Sequence, residues 1–170
     1  MHYRVKLYNN FIGGVVMNKT DFAVECFNSG FSCSQSVLAA FCEDYGLDKK
    51  LALKIACSFG GGMAHLGEAC GAVTGAFMVL GLKYGQDDKE DKHSRALNFL
   101  LVKDFANRFR KLNGSISCKE LIEYDISDEK QLIAARQTDV FQTKCAMYVR
   151  NAVNLLEEII AEYDKELCKE

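Results

Sequence analysis

The chain has 170 residues, 49% hydrophobic and 26% charged, with a net charge of −2 at neutral pH, eight cysteines, and neither proline nor tryptophan. That length and composition fit one domain with a packed core and exclude a disordered chain. The small net charge, without a Lys/Arg block or aromatic–basic interleaving, argues against nucleic-acid binding and against an anionic membrane surface.

Tyr3, Val5 and Leu7 alternate with Arg4 and Lys6, a strand-like pattern unlike anything later in the chain. Ile12-Gly13-Gly14 back-translates to codons containing AGGAGGU, a bacterial ribosome-binding sequence, just ahead of the Met17 codon. Residues 1–16 are therefore expected to be an extraneous or flexible N-terminal arm, and residues 17–170 a single all-α domain. The intact mass of the native protein tests that start.

From Thr20 onward helix signals dominate. Thr20 reads as the N-cap of a short helix carrying Phe22, Cys26 and Phe27 and ending at Gly30. Ser32 caps a second helix, with Val37, Leu38, Phe41 and Tyr45 on one face, that ends at Gly46. Asp48 caps a third, with Leu51, Ile55 and Phe59 four apart, stopped by Gly60-Gly61-Gly62. Residues 67–85 follow as an apolar helix on which Gly67, Gly71 and Gly75 share a face, a groove broadened by Ala72 and Ala76.

The charged link QDDKEDK leads into a longer helix with the stripe Leu97, Leu101, Phe105, Phe109 and Leu112, broken at Asn113-Gly114. Ser117 opens a short helix ending near Tyr124. The last helix aligns Val149, Val153, Leu156, Ile160, Tyr163 and Leu167. The absence of proline suits so helical a chain. The pattern predicts a compact all-α, multi-helix bundle with a glycine-rich loop and a glycine-faced central helix.

The longest apolar run, 69–82, lies between Glu68 and Lys83 and is shorter than the ~20 residues that span a bilayer. The N-terminus lacks a signal-peptide core. A cytoplasmic protein without membrane insertion is expected, and there eight cysteines point to metal binding or redox chemistry rather than structural disulfides.

The cysteines differ in setting. Cys33 follows Ser32, with Gln35 three residues after that serine. Cys118 follows Ser117, with Glu120 in the same relation. Both match the capping-box pattern, which places a cysteine at the first helical position. Cys70 lies near the start of the glycine-faced helix. Cys145 follows Thr143, either after a cap or within a helix continuing from upstream. A thiol at a helix start faces unpaired N–H groups and the positive dipole end, both of which favour the thiolate that attacks or ligates.

Cys26, Cys42 and Cys57 read instead as buried small hydrophobes, and Cys168 as an exposed residue near a fraying end. No CxxC pair occurs, which removes the thioredoxin and zinc-ribbon spacings. Gly62 and Gly67 have the spacing of a phosphate loop, but Glu68 stands where lysine is required. His65 reads as a surface-loop histidine before it reads as a ligand or proton donor. The glycine triplet would supply a turn whose N–H groups point inward.

The stretches GFSCSQSV (30–37), FGGGMAHLGEACGAVTGA (59–76) and GSISCKEL (114–121), together with Cys145, resemble the C_GCAxxG_C_C family of redox-active proteins, whose central motif reads CGAxxG here. The resemblance covers the chain from Met17 to the end. It carries the signature cysteines onto Cys33, Cys70, Cys118 and Cys145, the four already set apart by their helix-start settings. It implies a small all-α protein. Because related domains occur joined to cytochrome-type electron carriers, it also implies an iron–sulfur or other metal–thiolate centre. It implies no particular enzymatic reaction.

The first expectation is an iron–sulfur cluster, most simply [2Fe–2S], held by those four cysteines in a protein that passes electrons to a redox partner protein. Backbone N–H groups near Gly62 and Gly71 would donate to the sulfurs. Two alternatives use the same cysteines: a metal-free thiol–disulfide cycle, and a structural zinc held by all four. The glycine-faced helix would pack within one chain or across a homodimer.

Overall fold

The structure, a computed structural model, describes residues 10–12 and 15–168. The strand expected at Tyr3, Val5 and Leu7 lies outside the described residues, as does His2. Asn10–Ile12 (β1) pairs antiparallel with Val15–Met17 (β2), Asn10 opposite Met17 and Ile12 opposite Val15. Beyond that short ribbon the fold is all-α, as the periodicity predicts.

Helix α1 (Lys19–Asn28) starts before Thr20. Its N-cap is Asn18, whose side chain accepts from the Asp21 N–H at 2.7 Å. Thr20 turns inward instead, and its hydroxyl donates to Asn154 Oδ1 at 2.7 Å, tying α1 to α9 (Ala146–Leu167).

Helix α2 (Cys33–Ala39) opens with both halves of the expected capping box between Ser32 and Gln35. It stops at Ala39 rather than reaching Gly46. The N–H groups of Ala40 and Phe41 bond back three residues instead of four, so the last turn tightens and Phe41 and Cys42 enter the core. A 3₁₀ turn, Cys42–Tyr45, completes the run to a left-handed Gly46. Lys19 Nζ donates to the freed Ala40 carbonyl at 3.2 Å.

Helix α3 (Lys49–Ala56) is capped by Asp48 as expected. It packs against α2, but not through the expected stripe. Ala52 and Ala56 are buried, while Leu51 and Ile55 are about half exposed. The two small methyls let α3 lie close to its neighbour. The same rotation leaves Cys57, expected to be buried, exposed in the turn that follows.

The central helix is α5 (Gly71–Tyr84), and α2 lies directly on it. A Cβ added at Gly75 would sit 2.8 Å from the Ser34 carbonyl oxygen and 3.0 Å from Val37 Cβ, so glycine is what allows the approach. The groove of Gly71 and Gly75 is thus filled by α2 of the same chain. Gly67 does not share that face, because it lies in the loop before the helix with φ +71°.

Helix α6 (Lys92–Asn113) and α9 enclose the other side of the core. Leu101, Phe105 and Phe109 are buried along the predicted stripe, with the Phe105 and Phe109 rings stacked at 5.9 Å. Burying each such ring contributes about 1.5–3 kcal/mol. Leu112 and Leu167, the ends of their stripes, run past the core edge and are exposed. Arg108 bridges to Glu162 with two hydrogen bonds, at 3.1 and 2.8 Å, across the α6–α9 surface.

A short helix, α7 (Cys118–Ile122), follows the Gly114 break as expected. Helix α8 (Glu129–Arg136) is not in the sequence reading. Its signal is the cap at Asp128, which accepts from the Gln131 N–H at 2.9 Å, but the helix buries only Ala135 and so shows almost no stripe. Among the described residues no helix is long and apolar enough to cross a membrane.

Candidate four-cysteine site

Each signature cysteine sits where two segments meet. Cys33 and Cys118 occupy the first positions of α2 and α7, and Cys70 is the N-cap of α5. Cys145 ends a π-helical turn, Phe141–Cys145, that runs on into α9, so the continuing helix holds and the Thr143 cap does not. The Thr143 hydroxyl donates back to the Asp139 carbonyl at 2.9 Å instead. Such a wide turn re-aims the side chains after it.

The four residues are 9%, 4%, 6% and 7% exposed in chain order, and all four line one cavity of about 400 Å³. Gly71 and His65, singled out in the sequence, line it too, as does Gly61. Cys26 and Cys42 are buried elsewhere in the core, and Cys57 and Cys168 are exposed.

The loop between α3 and α5 shapes one wall. Residues 60–63 form a single turn, α4 (Gly60–Met63), with a left-handed interior. Gly61, Gly62, Met63, Ala64 and His65 have φ of +62°, +65°, +67°, +55° and +65°. For the three non-glycines that conformation costs about 1–3 kcal/mol each. Gly62 packs directly behind Cys118: a Cβ there would lie 2.6 Å from Cys118 Cβ and 2.8 Å from the Glu68 nitrogen.

The loop is then sewn to the segment before α7. The Cys70 N–H donates to the Ile116 carbonyl at 2.8 Å, the Cys118 N–H to the Glu68 carbonyl at 2.6 Å, and the Lys119 N–H to the Gly67 carbonyl at 3.1 Å. Ala69 and Ser117 form an isolated antiparallel bridge at its centre. These bonds fix Cys70 and Cys118 relative to each other.

They also displace the second capping box. Ser117 makes no side-chain cap, and its hydroxyl leans toward the Gly67 carbonyl. The Glu68 and Gly67 carbonyls accept the first N–H groups of α7 instead, and Ser115 takes Glu120's half of the box: its Oγ accepts from the Ser117 N–H at 3.0 Å and donates to the Glu120 carboxylate. Tyr148, which the sequence reading missed, lines the cavity one helical turn after Cys145. Its hydroxyl donates to the Leu121 carbonyl at 2.9 Å and fastens α9 to α7. Its only sequence signal was the spacing of three from a signature cysteine.

Burial, not the helix dipole, governs most of these thiols. Desolvation pushes Cys70 and Cys118 up to about 12, with the neighbouring cysteines adding to the shift. The backbone N–H groups of Ala72 and Val73, at the start of α5, oppose that rise without overcoming it, although the Cys70 side chain makes no cap hydrogen bond. Cys33 is raised well above the ordinary thiol range, first by its hydrogen bond with Cys145 and then by burial. Cys145 alone is lowered, because Cys33 donates to its sulfur. The thiolate-favouring setting expected at all four helix starts is therefore found at Cys145, by a thiol–thiol hydrogen bond.

Among the described residues no three His, Cys, Asp or Glu side chains converge closely enough to hold a single metal ion. The chemistry available is that of four soft sulfur donors around a cavity lined by no lysine, arginine, aspartate or glutamate.

Residues 31–159 match the family model described as "Putative redox-active protein (C_GCAxxG_C_C)". The match contains all four signature cysteines. It leaves out residues 17–30 and 160–170, which the resemblance was expected to cover. No curated protein and no solved structure matches the chain.

Proposed function

The chain belongs to the C_GCAxxG_C_C family of redox-active proteins, and on that premise we propose that Cys33, Cys70, Cys118 and Cys145 hold an iron–sulfur cluster, most simply [2Fe–2S], in an electron-transfer protein. The observation that carries this reading is the convergence of four buried thiols, from four separate segments, on one cavity. No lysine, arginine, aspartate or glutamate is among the described residues lining it.

Four cysteine thiolates are the usual ligands of a [2Fe–2S] centre, two on each iron. A structural zinc would use the same four thiolates around a single point. The iron–sulfur cluster, when bound, supplies one-electron transfer. The chain's own part is to bind it through thiolates, to keep water from it by burial, and to tune it through N–H donation. The Ala72 and Val73 N–H groups, at the helix start beside Cys70, are the nearest donors for that tuning.

The Cys33–Cys145 contact favours thiol–disulfide chemistry as the second reading. In it the two thiols give two electrons and two protons to an oxidant and join through an S–S bond.

Anaerobic purification without chelator, followed by an absorbance spectrum and iron, sulfide and zinc analysis, tests the proposal. Iron with matching acid-labile sulfide supports the cluster. A metal-free protein that reversibly loses two thiols on mild oxidation replaces it with the dithiol reading. One zinc per chain overturns both.

A further inference from the structure

The cavity is not thiol throughout. Besides the four buried cysteines it is lined by three phenylalanines: Phe31 is 39% exposed, and Phe27 and Phe141 are partly exposed. The lining also carries neutral hydrogen-bonding groups. The side-chain amides of Asn28 and Gln142 are both solvent-accessible, and among the described residues neither has a hydrogen-bond partner within the protein. The volume, about 400 Å³, falls in the range of small-molecule pockets.

We propose that this cavity, through its three phenylalanines, binds a neutral, planar aromatic ring bearing carbonyl groups, as in quinones and the flavin ring. Phenyl rings on a pocket lining favour an aromatic guest. Two unpartnered amides can donate to its carbonyl oxygens. The lining holds no lysine or arginine to pair with an anionic substituent and no aspartate or glutamate to hold a cation, which leaves His65 as its one basic side chain. The ring's purpose, as electron partner of the cysteine site, rests on the redox reading above; its binding does not.

The test is a titration of the purified full chain with lumiflavin, with duroquinone, and with flavin mononucleotide, which carries the flavin ring with an added phosphate. Iron and sulfide are measured on the same samples. Binding of lumiflavin or duroquinone at one per chain is expected, with flavin mononucleotide weaker than lumiflavin. Whichever neutral ring binds identifies the source of the shared chemistry.

Phe31→Ala should weaken that binding about tenfold, the loss of one good aromatic contact. Phe31 is already part-exposed, so the variant should fold. Gln142→Ala, at an exposed position, should also weaken binding and gives a second readout. Cys42→Ser, away from the cavity, should leave the affinity unchanged. The inference is overturned if neither neutral ring binds, or if Phe31→Ala and Gln142→Ala both leave binding as it was. Ring binding in a protein without iron sinks the cluster reading alone, and a cluster-containing protein that binds neither ring sinks this inference alone.

Discussion

Cys33, at the start of α2, and Cys145, at the start of α9, line one cavity and shift each other's ionisation in opposite directions, Cys33 upward and Cys145 downward. That divides the labour between two buried sulfurs: Cys33 keeps its proton and Cys145 is the more easily ionised. In metal-free, reduced protein a thiol-alkylating reagent near neutral pH should therefore modify Cys145 first among the cavity cysteines. Peptide mapping by mass spectrometry reads the order. Cys33→Ala removes the donor and should slow labelling of Cys145. Equal labelling of all four would contradict the arrangement.

The raised thiols give a pH dependence with a definite sign. Cys70 and Cys118 ionise at about 12 when folded, against about 8.5 in an unfolded chain. Above the unfolded value the unfolded state therefore binds fewer protons, and stability falls as pH rises. Metal-free protein should keep its full stability up to about pH 8.5 and lose it progressively toward pH 12. Denaturant unfolding at several pH values checks this, and the Cys70→Ala variant should show a shallower decline.

Two glycines should be intolerant for different reasons. Gly75→Ala meets the Ser34 carbonyl oxygen at 2.8 Å and should cost about 1–3 kcal/mol through overpacking, or roughly 2–9 °C in melting temperature. Gly62→Ala adds a left-handed backbone to a collision with Cys118 and should cost more, about 2–5 kcal/mol. It should also disturb the site itself, read as lost metal or an altered thiol titration, whereas Gly75→Ala should act mainly on melting temperature.

The displaced capping box predicts an order that the sequence pattern would reverse. Ser115 Oγ accepts from the Ser117 N–H at 3.0 Å, while Ser117 Oγ makes only a 3.5 Å contact with Gly67. Ser115→Ala should cost about 1 kcal/mol, the loss of a typical hydrogen bond, and Ser117→Ala less. Paired thermal melts would show the opposite order if Ser117 were the working cap.

The sorting of the cysteines is testable by a matched pair. Cys33→Ser should abolish cluster binding, or the reversible loss of two thiols under the second reading. Cys42→Ser changes a buried sulfur remote from the cavity and should leave either property intact. Iron, sulfide and thiol counts on both variants decide it.

The sequence alone reached the helical fold class, the Ser32 and Asp48 caps and the break at Gly114, and it set Cys33, Cys70, Cys118 and Cys145 apart by their helix-start settings. All of these are local: a cap, a stop or a helix-start cysteine is written in residues three or four apart. The face that α3 turns inward was not legible, because Leu51 and Ile55 on one side and Ala52 and Ala56 on the other both suit a helix; contact with α2 chose the alanines. Nor was the convergence of the cysteines, which depends on the bridge between Ala69 and Ser117, the close approach of Gly62 to Cys118, and the wide turn that ends at Cys145. Those contacts join residues far apart in the chain, so only the packed fold could decide that four scattered thiols share one cavity, and that burial and a neighbouring thiol, rather than the helix dipole, set how each ionises.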